Sequence, residues 1–173
     1  MKGYWNKSFR NILTSNLIEH CINGDEYKAL DLMKFYYINY IFRDQNGNSI
    51  LMIALKNNMS TLANKLLQSD DIYINEEDNK GMTALSIACY NKQESIALSI
   101  LEFPDINYNQ VNLYGDTALK IACRNNLEKV ALKLLDFDDL NYNCANEGGV
   151  SALILACENK IESVALKLLE KKI

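Results

Sequence analysis

Gly47, Gly81, Gly115 and Gly149 stand 34 residues apart, and that period governs most of the chain. Leu51, Leu85, Leu119 and Leu153 keep the same step, as do Ala54, Ala88, Ala122 and Ala156. So do Asn57, Asn91, Asn125 and Asn159, then Ala63, Ala97, Ala131 and Ala165, and finally Leu67, Leu101, Leu135 and Leu169. Six columns in one register through four copies cannot arise by chance. A chain written this way repeats one supersecondary unit, and each unit buries its apolar face against its neighbours.

The unit itself can be read. A hydroxyl residue two positions after each glycine (Ser49, Thr83, Thr117, Ser151) is where a helix N-cap belongs, because its oxygen accepts an orphan backbone N–H. The apolar residues that follow, such as Leu119, Ile121 and Ala122, predict one short helix that ends near the asparagine of its copy. A second helix follows, as in 128–135, with apolar residues at helical spacing and an acid at its start (Glu94, Glu128, Glu162) that suits the helix dipole. About a dozen residues rich in Asp and Asn then lead to the next glycine, which is turn and hairpin chemistry. Tetratricopeptide repeats share a 34-residue period, but they join two longer helices by tight turns. Short helices separated by a long polar hairpin with glycine at its tip decide against them.

The segment Met82-Thr83-Ala84-Leu85-Ser86-Ile87-Ala88-Cys89 resembles the "TPLHxAA" stretch of ankyrin repeats, and residues 116–123 and 150–157 resemble it again. The runs ending Ile100-Leu101, Leu134-Leu135 and Leu168-Leu169 are similar to that family's second helix. Asn107-Tyr108-Asn109 and Asn141-Tyr142-Asn143 are similar to its "DVN" stretch. The resemblance implies an all-α fold, an ankyrin-repeat solenoid of stacked antiparallel helix pairs with short β-hairpin loops. It covers residues 41–173, as four repeats at about 41–75, 76–109, 110–143 and 144–173. Alanine, or Ile50 in the first copy, replaces the family's proline, and Met52, Ser86, Lys120 or Ile154 replaces its histidine. Each turn is therefore expected to be less rigid than in consensus repeats.

One period earlier the pattern fades. Leu17, Asn23 and Ala29 keep their columns while His20 takes an alanine position, so residues 1–40 read as an N-terminal segment and a degenerate capping helix pair. The aromatic run at 35–42 lies where this cap meets the first full repeat. Its rings are expected to pack the cap onto the solenoid, with a docking patch as the alternative. At the other end Ile154, Leu155, Ile161 and Val164 stay apolar, so that face is either tolerated in water or covered by a partner or a second copy.

The net charge of −4 argues against nucleic acid and against an anionic membrane surface. Acids cluster at 76–78 and 136–139, which read as solvated loops. No stretch reaches the ~18 apolar residues of a membrane helix, and the N-terminal residues lack the apolar run of a secretory signal. A reducing, cytoplasmic location is expected, which suits five cysteines without paired spacing. Cys89, Cys123 and Cys157 recur with the repeat, at helix-packing steps of roughly 8–10 Å. That step is too long for a disulfide, so buried packing is their expected role. His20, the single histidine, has no evident acid–base or ligand partner. No catalytic or phosphate-binding motif is present, so no enzyme activity, cofactor or metal is expected.

Function is expected where the columns vary. The position after each glycine runs Asn48, Met82, Asp116, Val150, the family's histidine position runs Met52, Ser86, Lys120, Ile154, and a third column runs Lys56, Tyr90, Arg124, Glu158. The resemblance places these, with the hairpin tips, on a concave face that binds another protein. The candidate partner-binding residues are Tyr90, Leu113, Tyr114, Lys120, Arg124, Lys80, Ser86 and Glu158, centred on an aromatic and arginine cluster with hot-spot composition. The expected function is a non-catalytic protein-interaction module or adaptor. The alternative is an assembly protein that self-associates through its C-terminal repeat, so the chain is a monomer or a weak homo-oligomer. The wording of the repeats is also similar to ankyrin arrays of large DNA viruses of amoebae and of protists, which implies a host partner in the host cytoplasm.

Overall fold

The computed structural model describes residues 7–34, 41–146 and 148–171, with side chains from residue 12 onward. These form ten helices in five pairs: α1 (Lys7–Ile22) with α2 (Glu26–Leu32), α3 (Ile50–Lys56) with α4 (Ser60–Leu66), α5 (Ala84–Tyr90) with α6 (Glu94–Ile100), α7 (Ala118–Arg124) with α8 (Glu128–Leu134), and α9 (Ala152–Glu158) with α10 (Glu162–Glu170). First helices stack in one row, α1 to α9, and second helices in another, α2 to α10. None of these helices is long and apolar enough to cross a membrane.

Each first helix from α3 onward is seven residues long because both ends are fixed chemically. Ser49, Thr83, Thr117 and Ser151 are extended N-caps whose hydroxyls accept the N–H three residues on, as expected. At the other end Asn57, Asn91, Asn125 and Asn159 are the C-caps, and the next residue turns left-handed. The N–H of Leu127 then reaches back to the Ala122 carbonyl at 2.9 Å, while that of Asn126 reaches Cys123 at 3.3 Å. That pair of bonds is a Schellman motif, and it recurs in every copy.

The asparagine column also joins the repeats. Asn57 Nδ2 donates to the Cys21 carbonyl, Asn91 to Leu55, Asn125 to Cys89 and Asn159 to Cys123, at 2.9–3.1 Å. Each bond gives a second donor to a carbonyl in the last turn of the preceding first helix, which already accepts the N–H of the left-handed residue. In the middle of the stack the alanine and leucine columns lie in the shared core: Leu85, Ala88, Ala97 and Ala131 are fully buried. Sealing one such leucine from water contributes about 2 kcal/mol.

The loops differ from the expected β-hairpins. Among the described residues the only β-type pairing in them is an isolated antiparallel bridge, Glu77 to Thr83. An acceptor side chain closes each turn instead. Asp44, Asp78, Asn112 and Asn146 each accept the N–H groups two and four residues on with one oxygen, at 2.8–3.1 Å. An Asp or Asn that chelates its own backbone removes the need for strand pairing. Gly115 completes one such turn at φ +73°, and a Cβ there would lie 2.9 Å from Asn146 Cβ of the next loop. Both the backbone and the stacking therefore require glycine. Neighbouring loops are also tied by backbone bonds, Asn79 N–H to Asn46 and Leu113 N–H to Lys80, both 2.9 Å.

The two ends of the stack differ from its middle. In the first pair Leu17, Cys21 and Ala29 are buried and His20 is half-buried in the last turn of α1. Phe42 packs on the core edge and Ile41 is exposed, while the remaining residues of the aromatic run, 35–40, lie outside the described residues. In the last pair Ile154, Cys157, Leu166 and Leu169 are exposed. The expectation of a buried Cys157 is thereby corrected. Cys89 and Cys123 are covered by the next helix in the row, and no described helix follows α9 to do the same.

Candidate protein-binding groove

Along the row of first helices, α3, α5 and α7 meet the loops that precede α5 and α7 in a groove of about 470 Å³. Its cations are Lys56, Lys80 and Arg124, its aromatic walls are Tyr90 and Tyr114, and Asp78 and Asp116 lie at its base. Tyr90 and Tyr114 are 66% and 62% exposed.

The charges are arranged in pairs that follow the helix repeat. Asp116 precedes the N-cap of α7, and Arg124 closes the same helix two turns later. Arg124 Nη1 and Nη2 donate to the two oxygens of Asp116, at 2.6 and 3.1 Å. This bidentate bond raises the Arg124 pKa above its ordinary value. Two repeats earlier Lys56 reaches Asn48 at the matching spacing and also meets Asp78, of the intervening repeat, at 2.8 Å. Burial alone would raise the pKa of the Asp78 carboxyl. The bonds from Lys56 and from the N–H groups of Met82 and Lys80 outweigh that and hold it below its ordinary value. Met82 and Tyr90 form the apolar version of the same pair, and both line the groove.

Four of the eight candidate residues meet in this groove: Lys80, Tyr90, Tyr114 and Arg124. Leu113 is exposed on the crest of its loop, next to Tyr114 but outside the groove lining. Glu158 is exposed at the end of α9, one repeat beyond Arg124. Ser86 and Lys120 do not face solvent, and that expectation is corrected. The Ser86 hydroxyl belongs to a capping box with Thr83 at the start of α5. Lys120 is 1% exposed, and its ammonium donates to the Gly115 carbonyl of its own loop, 3.6 Å from Asp116. Met52 of the same column is buried too, and only Ile154, in the last pair, is exposed.

The carboxylates were the part not selected as candidates. Asp116 stands in a varying column, and its eight-residue spacing from Arg124 was the available signal. Among the described residues no group of three or more His, Cys, Asp and Glu side chains could hold a metal ion. Cys21, Cys89 and Cys123 are pushed up to about 12 by burial, which removes them as nucleophiles at neutral pH.

Residues 17–112 match the family model for ankyrin repeats, described as three copies. The match begins within α1, and the pairs α7/α8 and α9/α10 continue the same caps and columns past its end. Against curated proteins the chain has no match.

Proposed function

The chain belongs to the ankyrin-repeat family, whose repeats are protein–protein interaction modules, and on that premise we propose that it binds a partner protein in the groove between α3, α5 and α7. It acts as a non-catalytic adaptor. The observation that supports this most is the pair of exposed tyrosines, Tyr90 and Tyr114, beside an arginine in one concave site on an otherwise regular framework. Aromatic and arginine side chains dominate interface energetics, and here they lie where the repeat permits variation.

Affinity capture from cell extract with the wild-type chain and with a Tyr90→Ala/Tyr114→Ala double variant tests it. Asn64→Ala, an exposed site on α4, is the control. A partner retained by the control and lost by the double variant is the expected result. Equal capture by all three would refute the reading. A second reading, self-association, is favoured by the exposed Ile154, Leu166 and Leu169 of the last pair. Mass measurement across dilution separates the two, because an assembly protein yields a concentration-dependent dimer.

A further inference from the structure

We infer that the groove receives an acidic segment of the partner: a peptide stretch with one or more carboxylates beside an aromatic or aliphatic side chain. This rests on the groove being the recognition surface. The anions of the site are buried beneath its cations. Asp78 and Asp116 side chains are 2% and 11% exposed, whereas those of Lys56 and Arg124, which cover them, are 38% and 41% exposed. Lys80 is exposed as well, and its ammonium meets no carboxylate among the described residues. The buried Lys120 adds a further positive charge next to Asp116. Three cations against two carboxylates in its lining, with Lys120 behind them, leave the groove positive on a chain whose net charge is −4.

That contrast is what selects a partner. A positive site within a negative field draws an acidic segment to one place and repels it elsewhere. Tyr90 and Tyr114 present ring faces for an apolar side chain and hydroxyls for a carboxylate. Arg124 already engages its fork with Asp116, so the exposed Lys80 ammonium is the donor left for the segment's carboxylate. Glu158 sets a direction. It stands in the same column one repeat past Arg124, so the acidic end of the segment lies toward Lys56 and Lys80.

The test is selection of short random peptides displayed against the full chain, followed by affinity measurement on the synthesised winners. Peptides that lose binding to the Tyr90→Ala/Tyr114→Ala variant are the groove ligands. The expected result is that these are rich in Asp and Glu, lose about tenfold or more in affinity on Lys80→Glu, and weaken as salt rises. Lys80→Glu leaves the fold intact, which an unchanged unfolding midpoint will verify. Groove ligands without acidic excess, or indifferent to Lys80→Glu, overturn the inference but leave the groove standing as the binding site. A selection that yields no groove-dependent peptide overturns both.

Discussion

Lys92 occupies a left-handed turn at φ +58° that Gly24 fills in the first pair at φ +74°. A side chain there clashes with the backbone, and glycine does not. Lys92 is exposed after the C-cap of α5, so Lys92→Gly should stabilise the chain by about 0.5–1 kcal/mol, read as a higher urea midpoint. Asp78 yields a second expectation. Its folded pKa lies below the unfolded value, so its bonds stabilise the fold above that unfolded value and the stabilisation is lost as pH falls toward the folded one. Below about pH 4 the wild-type chain should lose stability faster than Asp78→Asn, and acid titration of the two unfolding midpoints checks it. Both features escape a sequence reading for one reason. Lysine is an unexpected residue for a left-handed turn, and a carboxylate that chelates its own loop reads like a solvated one. Lys120 shows the same limit, since a lysine whose ammonium docks on a backbone carbonyl resembles any surface lysine in sequence.

At the scale of the element, the asparagine column is the joint between repeats. Asn125→Ala removes bonds to the carbonyls of Cys89 and Tyr90 and so cuts a direct tie between α5 and α7. The expected loss is about 1–2 kcal/mol of unfolding free energy, measured in denaturant. The helices were legible because each cap is a local device that recurs: a hydroxyl N-cap and an asparagine C-cap in four copies, and an acid at the second helix in three. The loops were legible only in composition. Asp, Asn and Gly serve a β-hairpin and a side-chain-closed turn alike, and only the hydrogen bonds of Asp44, Asp78, Asn112 and Asn146 separate them. For the groove, the tyrosines were legible as large residues at varying positions. The bidentate Asp116–Arg124 pair was not, because it spans a whole helix. It also changes what arginine removal means: Arg124→Ala should weaken the partner and the fold together, since it strands a mostly buried carboxylate. The two tyrosines carry no such burden.

For the whole molecule, the stack protects its interior and leaves its last pair open. Cys21, Cys89 and Cys123 are buried with pKa values near 12, while Cys157 is exposed and Cys144 half-exposed. An aromatic disulfide reagent at neutral pH should label Cys157 and Cys144 in the native protein and the other three only on unfolding. Early labelling of Cys123 would mean that the α7–α9 contact opens on its own. The recognition account concerns the opposite part of the molecule, its central groove. Amide hydrogen exchange, compared between the free chain and the chain bound to a captured partner, tests it most directly. The account predicts slowed exchange in the loops at 78–82 and 112–116 and at the ends of α5 and α7, with α4, α6 and α8 unchanged. Protection confined to the second helices, or to α10, would contradict it.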